Sequence, residues 1–156
     1  MQNELIEGII EHLNSCGLNA IRAYEKRIFD SEESVICVAL SQISITASGL
    51  GNYVGLVSEN GEVREMYGSS ARLKLELDIY APTHRLCEAE KIRLLEALRE
   101  CRCMKISGMD FSGTLYDSAS NMMKSRCEVN ASAMLVRKLH NGELGEYTLG
   151  EADYEY

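Results

Sequence analysis

The sequence predicts an α+β fold: a mainly antiparallel sheet with two amphipathic helices packed on one face and a long β-hairpin. Three observations carry that prediction. Over residues 71–80, Leu73, Leu75, Leu77 and Ile79 alternate with Arg72, Lys74, Glu76, Asp78 and Tyr80, which puts the aliphatic side chains on one face of a strand and the polar ones on the other. The run meets Pro82, which has no N–H and biases Ala81 toward extended backbone, and a helical pattern opens directly after it. Between two strand-like stretches lies Asn60-Gly61, a dipeptide that favours the tight turn of a hairpin.

Near the N-terminus Leu5, Ile6, Ile9, Ile10 and Leu13 recur at helical spacing, with Asn3 as the expected N-cap and Gly17 as the expected stop. Gly8, inside this helix, costs up to about 1 kcal/mol against Ala unless another element approaches there. Residues 18–23 read as a short strand and the charged stretch 25–33 as a loop. The run 34–47 holds Val35, Ile36, Cys37, Val38, Leu40, Ile43 and Ile45, too β-branched for a comfortable helix, and reads as a long central strand. Its second half alternates, with Ile43, Ile45 and Ala47 against Gln42, Ser44 and Thr46, so one face there is expected to meet solvent or a neighbouring subunit. Glycines at 49, 51, 55, 61 and 68 make residues 51–67 a long hairpin loop. Loops of that length inside compact domains are functional or are surface excursions.

After Pro82, Thr83 is placed to cap a second helix whose apolar stripe is Ala89, Ile92, Leu95, Leu98 and Cys101, with Glu88, Lys91, Arg93, Glu96, Arg99 and Glu100 mostly elsewhere. Two antiparallel strands follow. One spans 105–116, interrupted by Gly108 and Gly113, and the other spans 123–137, with a polar turn at 117–121 between them. In the second, Cys127, Val129, Ala131, Ala133 and Leu135 face one way and Glu128, Asn130 and Ser132 the other. Residues 1–139 thus form a single α+β domain, and 140–156 an acidic, tyrosine-containing C-terminal tail with little to pack.

At 156 residues the chain supports one well-buried core. Its 46% hydrophobic and 26% charged residues are ordinary globular composition. No apolar run approaches the roughly 18 residues needed to cross a bilayer. The N-terminal segment has acids at Glu4 and Glu7 and no basic residue, so no secretory signal is expected and the protein is expected to stay in the cytoplasm. The formal net charge is −8, and Glu143, Glu146, Glu151, Asp153 and Glu155 account for five of those charges, with no Lys or Arg from His140 onward. Subtracting those five leaves −3 for the body, and without a Lys/Arg cluster neither a sequence-specific nucleic acid nor a membrane is an expected partner.

The six cysteines, Cys16, Cys37, Cys87, Cys101, Cys103 and Cys127, read as reduced packing thiols. Cys101-Arg-Cys103 has one intervening residue, so it is neither a redox CxxC nor half of a zinc knuckle, and His12, His84 and His140 are scattered. No metal and no cofactor are expected. There is no GxGxxG after a strand, no P-loop, no HExxH and no GxSxG. Glu76 and Asp78 pair two carboxylates on one strand face, but Arg72 and Lys74 flank them and a polar face explains all four, so no catalytic residues are expected. Met122, Met123 and Met134 are candidates for lining an apolar groove, although filling a core is the usual task of methionine.

The order of elements resembles the tail terminator and tail completion proteins of long-tailed bacteriophages and phage tail-like bacteriocins. The residues that carry the likeness are Leu-Lys-Leu-Glu-Leu-Asp-Ile-Tyr-Ala-Pro at 73–82 with the helical segment 86–101, then Gly-Thr-Leu-Tyr-Asp at 113–117 leading to a strand that ends Met-Leu-Val-Arg at 134–137. The chain departs from the pattern in its acidic tail and in lacking glycines between the proline and the helix. The resemblance implies a structural protein, not an enzyme, whose copies assemble head to tail into a ring, typically a hexamer, that caps the tail tube. Its partners would be itself, the tail tube protein, and sheath or neck proteins. It would reside in the host cytoplasm during assembly and then in the virion tail or tail-like particle. The alternative is a head-to-tail connector, neck or baseplate adaptor of the same kind of particle; a small-ligand-binding protein or enzyme ranks below both. Candidate subunit or tube contacts are Tyr53, Arg64 and Tyr67 in the hairpin and Arg72, Lys74, Glu76 and Asp78 on the strand face. Candidate docking anchors in the tail are Tyr147, Tyr154 and Tyr156.

Overall fold

A single 20-residue strand, Glu62–Ala81, organises the fold. The computed structural model of the chain describes residues 2–23, 32–47, 53–59, 61–138 and 147–149. In chain order these form α1 (Gln2–Ser15), β1 (Ala20–Arg22), β2 (Val35–Ala47), β3 (Tyr53–Glu59), β4 (Glu62–Ala81), α2 (His84–Arg99), β5 (Lys105–Phe111), β6 (Leu115–Asp117), β7 (Met122–Lys138) and β8 (Tyr147–Leu149). The α+β class is the expected one. All the described strands join one sheet, whose main path is β1-β2-β4-β7-β5, and among them only β1 and β2 run parallel.

The inward positions of β4 make the floor of the core. Leu75, Leu77 and Ile79 are completely buried beneath Leu5, Ile9 and Leu13 of α1 and Leu94 and Leu98 of α2, with Cys127, Val129, Ala131 and Ala133 of β7 beside them. Both helices therefore lie on one face, as period-two and period-3.6 patterns that must share a core require. Each of these aliphatic side chains contributes about 1.5–3 kcal/mol relative to exposure.

Helix α1 stops where expected. Gly17 has φ 85°, and the Leu18 N–H bonds to the Leu13 carbonyl while the Gly17 N–H bonds to that of Asn14, both at 3.1 Å. That is a Schellman closure, and Leu13 and Leu18 are both buried against it. Its start is different: the helix already includes Asn3, whose carbonyl accepts from Arg22 Nη2 at 3.4 Å. The first-turn N–H groups have no partner within the helix, so the boundary shifts easily by a residue. A methyl group at Gly8 would meet no atom within 4 Å, so no close approach requires that glycine.

Strand β2 is only partly central. β1 pairs with it at residues 36–38 alone, and a bulge follows between Leu40 and Gln42. Beyond the bulge Ile45 is 49% exposed, and Gln42, Ser44 and Thr46 are exposed as well. Ile43 still packs partly against the core, so one face meets solvent as expected, and the other is exposed at Ile45. The expected loop at 25–33 falls largely outside the described residues.

The stripe of α2 also differs from expectation. Thr83 caps the helix by accepting the Leu86 N–H at 3.2 Å, but the buried residues are Cys87, Glu90, Leu94, Ala97 and Leu98. Of the expected stripe Leu98 and Cys101 are buried and Leu95 partly so, while Ala89 is exposed and Ile92 is 61% exposed. The helix is rotated because Glu90 can occupy the inner stripe: Arg93 Nη1 pairs with its Oε1 at 2.7 Å. The expected strand 105–116 breaks into β5 and β6 at residues 112–114, and a bulge lies between Ile106 and Gly108. The tail is not wholly loose either. Tyr147–Leu149 adds a short strand, with Tyr147 opposite Arg137 and Leu149 opposite Leu135, since the end of β7 extends past β5 and offers an unpaired edge.

Candidate functional site

The sheet's outer face, opposite the helices, carries the candidate strand-face residues. Arg72, Lys74, Glu76 and Asp78 occupy alternate positions of β4 and stand opposite Ser132, Asn130, Glu128 and Arg126 of β7. The strand pairing thus adds three charges that sequence reasoning did not assign to the site: Lys124, Arg126 and Glu128. The signal for them was the alternation of β7 itself, which needed only the register to be placed beside β4.

These charges are largely paired among themselves. Arg126 donates to both oxygens of Asp78, from Nε at 2.8 Å and Nη2 at 3.3 Å, and its Nη1 lies 3.7 Å from Glu76. Lys124 Nζ is 3.9 Å from Asp78 and 5.3 Å from the centre of the Tyr80 ring. Lys74 Nζ is 3.8 Å from Glu128. The hydrogen bonds and charge of Asp78 push the Arg126 pKa further up. Burial opposes the Lys124 ammonium, but Tyr80 and Asp78 outweigh it and hold its pKa above the ordinary value. Exposed pairs of this kind contribute about 0.2–1 kcal/mol each. Arg72 is exposed and has no ion pair among the described residues. Next to this polar field, Ile21, Val35 and Cys37 form a small apolar cluster with Ala23 and Tyr80.

The hairpin extends that same sheet instead of forming a separate loop. β7 occupies one edge of β4 from Met66 to Ala81, and β2 occupies the other from Ser69 to Tyr80. β3 pairs with Met66 and Tyr67 as well, so it must use the edge that β2 uses. β2 and β3 are therefore successive segments along one side of β4, and Gly61, with φ 78°, turns the chain at the tip. Tyr53 stands opposite Tyr67, and Arg64 opposite Val57. The structure thus brings Tyr53 and Tyr67 together in register and leaves Arg64 further out along the arm. Tyr147 pairs on the far side of β7, and Tyr154 and Tyr156 lie outside the described residues.

The groove proposed from Met122, Met123 and Met134 is not formed by those residues. Met122 is buried and Met123 packs against the core. An open cleft of about 450 Å³ instead separates α2 from β5, lined by Leu95, Leu98, Arg99, Met104, Ile106 and Met109 among others. The β5 bulge between Ile106 and Gly108 falls within its lining. Among the described residues no group of three or more His, Cys, Asp or Glu is placed to hold a metal, and no described helix is long and apolar enough to cross a membrane. The chain matches no protein-family model, and no curated protein matches it.

Proposed function

We propose that this protein is a structural subunit that assembles head to tail into a closed ring capping the tail tube of a phage or phage tail-like particle. The observation that supports this reading best is the β3–β4 arm. The last rung between β4 and β7 is Met66 with Lys138, and residues 62–65 pair with β3 alone among the described residues. At about 3.4 Å per residue the ribbon runs on the order of 14 Å past that rung. A head-to-tail ring needs two different complementary surfaces on each subunit. The arm supplies one, and the charged outer face, where ion pairs can exchange partners across a contact, supplies another. Ring closure would also cover the ribbon's open edges, which otherwise invite indiscriminate strand pairing.

The test is the mass of the purified full chain by light scattering, with negative-stain images of any large species. Closed rings on the order of six copies are expected, the closure being that of a cyclic point group. A chain that stays monomeric at high concentration, and remains so when mixed with a tail tube protein, would overturn the reading.

A further inference from the structure

The turn after α2 holds two thiols against each other. Cys101 Sγ and Cys103 Sγ are 2.9 Å apart, inside the contact distance of two sulfurs that merely pack. The two sulfurs are within hydrogen-bond distance, and either thiol can donate to the other. The His12 imidazole, fastened to the Ala97 carbonyl at 2.6 Å, adds its field. The contact with Cys103 outweighs burial and lowers the Cys101 pKa, while the same contact and burial push Cys103 up.

One proton is thus shared between two adjacent sulfurs. The remaining buried cysteines are the reverse case, since burial raises Cys37 to about 11 and Cys127 to about 12 and also raises Cys87. Access is built in as well. Cys101 is only 6% exposed, whereas Cys103, though it packs against the core, is partly exposed.

We propose that Cys101 and Cys103 form a reversible thiol–disulfide modification site, closed by exchange with a low-molecular-weight disulfide such as oxidised glutathione. When the shared proton sits on Cys101, the Cys103 thiolate attacks one sulfur of the external disulfide. A Cys103 mixed disulfide forms, the external S–S bond breaks, and one external thiolate leaves. Cys101 then loses its proton, attacks the Cys103 sulfur and expels the second external thiolate. In sum, the singly protonated pair and one external disulfide give one intrachain disulfide, one external thiolate and one external thiol that takes the Cys101 proton, a two-electron exchange.

A disulfide bond is about 2.05 Å long, so the sulfurs, now 2.9 Å apart, need to approach by less than an ångström. The ring closed across a single intervening residue is tight, which favours ready reduction and so a switchable bond over a permanent one.

The experiment is to equilibrate the reduced, full-length chain with excess oxidised glutathione, block remaining thiols under denaturing conditions, and map the cysteines by mass after tryptic cleavage at Arg102. The expected product has Cys101 and Cys103 joined, holding the two fragments together, with Cys16, Cys37, Cys87 and Cys127 blocked and the bond lost on reduction. Both thiols fully blocked, glutathione retained on Cys103, or Cys101 joined to Cys16 would each overturn the proposal. Serine variants at the buried Cys101 risk misfolding, so a second measurement uses the unaltered chain. In native alkylation at neutral pH the pair should react at least about tenfold faster than Cys37, Cys87 and Cys127, and equal rates would count against it.

Discussion

Asp78 and Arg126 stand directly opposite each other on β4 and β7 and share two hydrogen bonds across the outer face of the sheet. The pair locks the register of the two longest strands at a point where the buried face holds Leu77 and Ile79. In the proposed ring Asp78 would reach a neighbouring subunit only by giving up an internal partner. Arg72, exposed at the other end of the row, meets no such competition from an ion pair among the described residues.

A double-mutant cycle with Asp78→Asn and Arg126→Gln measures this coupling. The Arg126 side chain is 44% exposed and that of Asp78 18%, so solvent screening limits the coupling to about 0.5–1 kcal/mol. Urea denaturation of the wild type, both single variants and the double variant would report it. Strict additivity would show that the pair is ornamental.

The inner stripe of α2 depends on Arg93. Its Nη1 neutralises the buried Glu90 at 2.7 Å, and its Nη2 donates to the Gly17 carbonyl at 2.8 Å, fastening α2 to the end of α1. Arg93→Ala strands a carboxylate in the helix interface and leaves that carbonyl without the donor, a loss of about 2–3 kcal/mol. Adding Glu90→Gln should recover part of that loss, because the stranded charge is gone. A double variant less stable than Arg93→Ala alone would refute this account.

Glu88 ties the start of α2 to the loop between β5 and β6, accepting from Thr114 Oγ1 at 2.5 Å and Lys91 Nζ at 3.0 Å. The Thr114 hydroxyl, and then Lys91, hold its pKa below the ordinary 4.5. A carboxylate with a depressed folded-state pKa contributes stability that is present above the unfolded value and is lost as pH falls through the folded one. Glu88→Gln should therefore be less stable than wild type near neutrality, and the gap should close in acid below that value. Asp117, held down by the Ser120 hydroxyl, titrates in the same sense in both proteins, so it cancels in the comparison. A gap that does not change with pH would assign the effect to packing.

Removing residues 55–65 and joining the ends with a short turn tests the arm. The described core is built by residues of α1, α2, β4 and β7 on either side of that segment, so the shortened chain should fold, with a cooperative melting transition. It should fail to form rings in negative stain. Intact rings from that variant would exclude the arm as an assembly element.

Much of the fold was written in the sequence because its strongest signals are local. Alternation over 71–80 fixed β4's buried face, Thr83 fixed the α2 cap, and Gly17 fixed the end of α1, each through a backbone or periodicity requirement that needs no distant partner. The stripe of α2 was misread because Glu90 looks like a surface residue until Arg93 folds back onto it. The tail strand was missed because Tyr147–Leu149 pairs only if β7 overshoots β5 and leaves an edge.

The candidate surface divides along the same line. The residues of the outer row on β4 follow from alternation, which sequence alone determines. Their partners Lys124, Arg126 and Glu128, the alignment of β2 and β3 along one edge, and the meeting of the Cys101 and Cys103 sulfurs were decided only by tertiary structure. Register, strand order and the shape of a turn are set by which distant segments bury one another's apolar faces. That choice belongs to the whole chain and is absent from any short stretch of it.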